Sequence, residues 1–453
     1  MAWEYGIVPY DVDGEILSCY SRGTTNETLS AQLAILTGKS IHLTRVEAGE
    51  LEPLLMKYYP RGEEGGKESR FLNVSDDFLT RMINEAKMLG SSDIHIETYE
   101  HRCRVRFRVD GKLVERYAVN HEEYPSLINK IKIRANLDIA EKRLPQDGRI
   151  NHAGDQEPFD IRVSILPTLE GEKVVLRLLA KNVGETGLST LGFNKEQFQL
   201  FRQAISKPNG IILISGPTGS GKTTTLYATL REINKEELNV VTIEDPVEYT
   251  LEGINQVPVR ESIGMDYAIA LKTFLRQDPD VIMLGEIRDG ETARMAIRAA
   301  LTGHLVLSTI HTNSAWGTIT RLLDMEIPPY LVANTLNLSV AQRLVRLLCP
   351  ACKRIVARGE GDSDLERYLD ADITRYAVPT GCKQCFYTGY KGRRAVYELV
   401  PVDPEVRECI KRKGEAAEEV LQAKKVLFLR EGMLELTRSL QTSPEEIASY
   451  LLS

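Results

Sequence analysis

The sequence predicts an α/β protein of several domains, and three observations carry that prediction. From about residue 192 onward, apolar runs of strand length (Ile211–Ser215, Val240–Ile243, Val281–Leu284 and Leu305–Thr309) alternate with helical stretches. Strands apolar along their whole length suit a mainly parallel sheet covered on both faces. Upstream, segments such as Cys103–Val109 alternate apolar and polar residues, as strands buried on one face do. Finally, 453 residues exceed what one hydrophobic core organises, so roughly two to four domains are expected.

The elements follow in order. Residues 1–65 carry short, mixed strand and helix signals and are read as an accessory or docking domain, ending in the charged, glycine-rich linker Arg61–Gly66. Residues 66–185 form an α+β domain. Ser75-Asp76-Asp77 can cap a helix whose apolar residues Phe78, Leu79, Met82, Ile83 and Ala86 share one face, and that helix ends near Gly90. Next, Cys103, Val105, Phe107 and Val109 alternate with Arg104, Arg106 and Arg108, and Asp110-Gly111 signals a two-residue hairpin. One face of that hairpin is expected to be unusually cationic. The strand Ile161–Ile165 and the run Val174–Leu179 close the domain, and Lys181–Leu191 reads as a connector. Residues 190–453 are the α/β domain, with a cysteine-bearing subdomain at 345–395 and a helical region at 400–453.

Composition sets limits. A net charge of −7 with 27% charged residues describes an acidic chain, not one built to coat a nucleic-acid backbone. Met-Ala-Trp-Glu-Tyr opens without a basic segment followed by an apolar stretch, and no apolar run reaches the eighteen or so residues that cross a bilayer. A cytoplasmic protein is expected. Of seven cysteines, Cys349/Cys352 and Cys382/Cys385 form two C-x-x-C pairs, while Cys19, Cys103 and Cys409 read as packed thiols.

The sharpest signal is Gly216-Pro217-Thr218-Gly219-Ser220-Gly221-Lys222-Thr223, a complete G-x-x-x-x-G-K-T phosphate loop between the run Ile211–Ile214 and a helix read over Thr223–Asn234. Its glycines let backbone N–H groups curl around phosphate oxygens. Lys222 reaches the β and γ phosphates, and the Thr223 hydroxyl can ligate Mg²⁺. Hydrolysis also needs an acid near the metal and a group that orients water. Val281–Leu284 delivers Glu286 at a strand's C-terminal end, where it acts either on metal-bound water or on the attacking water. Glu244, Asp245 and Glu248 form a second acidic candidate, turned by Pro246. His304 and His311 flank the strand Leu305–Thr309. The position of His311 at the C-terminal end suits a γ-phosphate sensor, whereas His304 reads equally well as structural.

Taken together, the loop, Glu244–Glu248, Leu275–Asp280 leading into Gly285–Asp289, and Thr302–Asn313 resemble the Walker A, Asp box, Walker B and His box of the secretion ATPase superfamily. Within it, the chain most resembles type II secretion and type IV pilus assembly ATPases. Ser92–Glu97, Arg106–Gly111 and Pro145–Arg149 are similar to the family's preceding domain, so the resemblance spans roughly residues 70–450. It implies a RecA-like P-loop core after a PAS-like α+β domain, and a homohexamer whose neighbouring domains share a nucleotide. Arg108, Arg162 and Arg177 would then project towards its phosphates, with Glu286, Glu244, Glu248 and His311 completing the catalytic set. Thr224, Asp245, Arg276 and Arg288 would join the loop in binding ATP and Mg²⁺. Lys272 departs from the family, many members of which carry arginine there, and a planar bidentate role is not expected of a lysine at that position.

The four cysteines suit tetrahedral Zn²⁺ in a structural site, because four protein ligands leave no open position; redox pairing is the minor alternative. The segment between the pairs is long for a zinc ribbon and is expected to form a protruding substructure. In the resembled family such an insertion marks assembly motors, not retraction motors. The expected function is MgATP hydrolysis that powers pseudopilus assembly or pilus extension. It would act at an inner-membrane platform, with docking proteins and peripheral membrane association through partners. The runners-up are a RecA-like DNA-translocating motor, disfavoured by acidity, and a pilus-retraction motor. No direct nucleic-acid contact is expected, and no N-K-x-D motif supports a GTPase.

Overall fold

A computed structural model describes residues 5–21, 27–46, 51, 54–55, 78–152, 159–178 and 187–451. The linker Arg61–Gly66, the cap Ser75–Asp77, Leu179 and the connector's first part, 181–186, lie outside the described residues. Contacts divide the chain into two compact units. One takes in Met1–Leu72, Arg346–Gly392 and Thr437–Ser453, and the other Asn73–Val345 and Arg393–Leu436.

In the first unit, strands β1 (Ile7–Asp13), β2 (Ile16–Ser21) and β3 (Ser40–Arg45) make a three-stranded sheet. The β1–β2 pair is antiparallel, β3 runs parallel to β2, and the helix Glu27–Thr37 makes the crossover between β2 and β3.

The second unit holds two larger sheets. The first contains β4 (Asp93–Tyr99), β5 (Arg102–Val109), β6 (Lys112–Val119), β7 (Gln146–His152), β8 (Phe159–Thr168) and β9 (Gly171–Leu178), in the order β6-β5-β4-β9-β8-β7 with every pairing antiparallel. The helix Phe78–Met88 buries the five predicted residues Phe78, Leu79, Met82, Ile83 and Ala86. The β5–β6 hairpin turns on Asp110 (φ 47°) and Gly111 (φ 85°) as predicted, because both positions need positive φ. The run Val174–Leu178 is not buried throughout; it alternates, as a strand with one solvated face does.

The α/β sheet is built from β10 (Gly210–Ser215), β11 (Val240–Glu244), β12 (Asn255–Pro258), β13 (Val281–Leu284), β14 (Leu305–Ile310), β15 (Leu336–Leu348), and, after β16 (Arg354–Ala357) and β17 (Arg375–Val378), β18 (Tyr390–Pro401). Its order is β12-β11-β13-β14-β10-β15-β18, and β10–β15 run parallel to one another. Ile211, Leu213, Ile243 and Leu284 enter one core cluster, while their neighbours Ile212, Ile214, Val240 and Met283 enter another. Two faces buried against helices explain why these strands lack a polar alternation. The α/β class is borne out, with three strands (β12, β15, β18) beyond the four legible in the sequence. Helices Pro404–Lys411, Ala417–Ala423, Leu429–Arg438 and Pro444–Leu451 form the tail.

Candidate active site

The parallel strands deliver the sequence-selected groups to one edge, the C-terminal ends at which open α/β sheets bind ligands. The phosphate loop leaves β10 through Gly216 (φ 148°). A Cβ there would stand 2.5 Å from the Gln342 carbonyl and 2.6 Å from Ser220 Oγ, so only glycine fits. Gly219 and Gly221 also take positive φ, turning the loop into the helix Lys222–Ile233, whose first N–H groups and dipole favour an anion. Lys222 Nζ donates to the carbonyls of Gly216 (2.8 Å) and Pro217 (3.1 Å). Burial pushes its pKa down; the Glu286 charge opposes this and the Arg343 charge adds to it. Ser220 Oγ is buried in the loop without a hydrogen-bond partner among the described residues. An orphaned hydroxyl in a glycine cradle fits a phosphate group, and the Thr223 hydroxyl beside it supplies a hard oxygen suited to Mg²⁺.

Beyond β13, the Glu286 carboxylate pairs with Arg288 and lies 3.3 Å from His311 Nε2. Their strands are locked together by Thr309 Oγ1 donating to Gly285 O (2.7 Å) and Ile287 N donating to Thr309 O (2.8 Å). Asp245 lies 4.0 Å from Arg288. Glu244 is only 4% exposed; it accepts hydrogen bonds from the Tyr227 hydroxyl, Thr242 Oγ1 (2.6 Å) and Gln256 Nε2 (3.0 Å). His304 is bound to Ala299 O (2.8 Å) and Thr302 Oγ1 (3.1 Å), the structural arrangement.

The six-stranded sheet faces this edge within the same unit. Arg162 Nη2 donates to Val247 O (2.6 Å), and its Nη1 is 3.4 Å from Glu248. Arg177 Nε donates to Asp93 (3.0 Å), which is also 3.5 Å from Arg108 Nε. A cleft of about 1590 Å³ gathers Thr218, Lys222, Thr223, Thr224, Glu244, Asp245, Glu248, Glu286 and His311 with Arg108, Arg162 and Arg177. Arg276 is not among its lining residues; it donates to Lys272 O (3.1 Å) at its own helix end. The hairpin face expected to be unusually cationic is in part neutralised. Arg104 and Arg106 converge on buried Glu97 with bonds of 2.8–3.0 Å, because β4 brings that acid alongside them.

Sequence reasoning missed the groups that brace the loop. Gln342 on β15 donates to Ser220 O (2.8 Å) and accepts from Thr225 Oγ1 (2.9 Å), and buried Arg343 donates to Asn313 (3.1 and 3.2 Å) in the turn after His311. Gln342 and Arg343 lie in a strand that also carries Asn337, Ser339 and Arg346, so no unbroken apolar run marked it in the sequence. Tyr227, Tyr249, Tyr267 and Arg393 also line the cleft without having been singled out.

In the first unit, the four Sγ atoms of Cys349, Cys352, Cys382 and Cys385 lie within 4.8 Å of one another, with separations of 3.7–3.9 Å for three pairs. Tetrahedral Zn–S bonds of about 2.3 Å place sulfurs about 3.8 Å apart, the spacing that these three pairs show. The antiparallel β16–β17 pair and the short helix Ser363–Glu366 fill the segment between the two C-x-x-C pairs. Cys19, Cys103 and Cys409 are buried thiols as expected. No helix among the described residues is long and apolar enough to cross a membrane.

The chain resembles known proteins. The chain is 41% identical to the type II secretion system protein E of Aeromonas hydrophila, over 98% of this chain and 94% of that one. It is 48% identical to the type IV pilus assembly ATPase PilB of Myxococcus xanthus, over 72% of this chain and 59% of that one. The crystal structure of the Legionella pneumophila ATPase DotB superimposes with a TM-score of 0.64 at 21% identity, covering 86% of this chain and 98% of DotB, which bears on the fold alone. The family model described as Type II/IV secretion system protein matches residues 71–449, and with it the chain is placed: it belongs to the Type II/IV secretion system protein family.

Proposed function

We propose that this chain is an ATPase that hydrolyses MgATP to drive assembly of a type II secretion pseudopilus or extension of a type IV pilus. One observation carries the reading: a complete phosphate loop shares its cleft with Glu286, His311 and three arginines of the preceding sheet. The loop amides and Lys222 bind the β and γ phosphates of the substrate, and Lys222 exchanges its bonds to loop carbonyls for phosphate oxygens. Thr223 and Glu286 would hold Mg²⁺, which when bound neutralises charge on the phosphates. Glu286, oriented by His311, positions the attacking water or its metal contact; Glu244 and Glu248 shape the Asp-box side. Arg108, Arg162 and Arg177 stabilise charge as the terminal P–O bond breaks, for which a permanently charged planar fork is suited. Asp245, Thr224 and Arg288 assist binding, and Arg276, outside the cleft of one chain, acts from a ring neighbour. Cys349, Cys352, Cys382 and Cys385 hold a structural Zn²⁺.

The working form is a cytoplasmic homohexamer associated with the inner membrane through a platform and docking proteins. Residues 1–65 are the docking domain, 66–185 the arginine-bearing domain and 190–453 the motor. Pilus extension is kept as an equal client because the Myxococcus relative is a pilus assembly ATPase. Phosphate release from MgATP by the purified full chain tests the reading. Activity abolished by Lys222→Ala supports it, and a wild-type chain without activity in any oligomeric form sinks it. Zinc near one equivalent per chain, lost on Cys382→Ser, tests the metal.

A further inference from the structure

We infer that Tyr227 is a positioning residue, whose phenol ties the phosphate-loop helix to the turn that receives Arg162. The inference rests on the proposed ATPase reading and extends it to a cleft residue to which that reading gives no part. Tyr227 lies in the first turns of Lys222–Ile233 and is fully buried. Its ring packs edge-on against Tyr249 at 4.6 Å, so packing alone would be served equally by phenylalanine. The hydroxyl, however, sits at a junction. It donates to Glu244, and it accepts from the Glu248 N–H (3.3 Å) and Gln256 Nε2 (3.4 Å). Gln256 Nε2 shares its two N–H groups among Tyr227 Oη, Glu244 (3.0 Å) and Tyr249 O (3.2 Å), and its Oε1 accepts from Leu251 N–H (2.6 Å). One hydroxyl therefore fixes both the acid at the end of β11 and the backbone of residue 248.

That backbone is where the preceding domain takes hold. Arg162 binds Val247 O at 2.6 Å, the carbonyl of the same peptide whose N–H Tyr227 accepts, and lies 3.4 Å from the Glu248 carboxylate. A shift of the phosphate-loop helix thus reaches the Arg162 guanidinium through two hydrogen bonds on one peptide group. A buried network of this kind acts as a unit, so its members should be coupled instead of additive.

The test is a double-mutant cycle in the full chain with MgATP, using Tyr227→Phe, Glu248→Gln and the double variant, with melting temperatures alongside. The expected result is that Tyr227→Phe lowers kcat about tenfold with KM within about twofold, and that the double variant is no slower than the slower single variant. Should Tyr227→Phe lower the folded yield, Gln256→Met in the same cycle removes a second of the three donors to Glu244 and keeps the side-chain volume. Wild-type turnover by Tyr227→Phe at a lowered melting temperature assigns the hydroxyl a structural role and overturns the inference, as does a double variant whose loss is the product of the two singles. A wild-type chain that does not hydrolyse ATP overturns the proposed function instead.

Discussion

Two groups of arginines on one sheet have opposite fates. Arg104 and Arg106 surround Glu97, which is 3% exposed and also lies 3.4 Å from Lys173. Burial alone would raise the Glu97 pKa, yet hydrogen bonds from Arg106 and Arg104 hold it at about 2. These guanidinium groups are spent on a structural charge. Arg108 and Arg177 share Asp93 across the register of β4, and the Arg177 side chain remains 58% exposed beside the cleft. Arg162 reaches the Asp-box turn through a backbone carbonyl and a half-buried acid. The difference teaches that the fate of an arginine in this sheet is set by which carboxylate the strand register places beside it. Its own place in an alternating pattern does not decide it.

The comparison is anchored by the cleft's acid, where the largest effect is expected. Glu286→Gln keeps the shape of the side chain and removes the charge that His311 and Arg288 orient, so turnover should fall about a thousandfold with nucleotide binding retained. Phosphate release together with titration of a fluorescent ATP analogue checks both halves. Turnover near wild type would remove the cleft side of the contrast altogether.

The next effect separates the two groups directly. Arg162→Ala and Arg177→Ala should each cost about a hundredfold in turnover of the assembled protein, the scale of one donor lost from developing charge. Their unfolding midpoints should stay close to wild type. If Arg106→Ala lowered turnover as strongly at unchanged stability, the distinction between committed and available arginines would be wrong.

Glu97→Gln tests the other side at a smaller scale. A shift from 4.5 to about 2 in a buried carboxyl corresponds to about 3 kcal/mol. A depressed carboxylate pKa stabilises the fold above the unfolded value near 4.5, and that contribution is lost as pH falls towards 2. Urea unfolding should therefore find the variant weaker by about 3 kcal/mol at pH 7, with the gap closing below pH 4. A gap independent of pH would assign the loss to packing.

How much of this was legible follows from where the information lies. The phosphate loop, Glu286 and His311 could be read because loop spacing and strand ends are local in sequence. Capture of Arg104 and Arg106 by Glu97 could not, since one must know that β4 pairs with β5 in the register that sets Glu97 opposite Arg104. Strand β15 was hidden for another reason. Buried Asn337, Ser339, Gln342 and Arg343 interrupt its apolar run, and Gln342 is there to hold Ser220 and Thr225. Polar residues that serve a site erase the very pattern by which a buried strand is recognised. The Tyr227 junction escaped notice because a tyrosine inside a helix reads as core until its hydroxyl partners are known.

The smallest expected effect probes where the available arginines end. Lys272, where the sequence resemblance leads to an expectation of arginine, forms a 3.2 Å pair with Glu291, and both side chains are more than half exposed. Pairs in water contribute about 0–1 kcal/mol, and arginine can reach the same carboxylate, so Lys272→Arg should move stability by less than about 0.5 kcal/mol. Turnover should stay within about twofold, because Lys272 is not among the cleft-lining residues of this chain. A several-fold gain in the assembled protein at unchanged stability would mean that a planar fork at this position reaches phosphate across the ring. The boundary drawn between the two arginine groups would then have to extend to the helix Tyr267–Phe274.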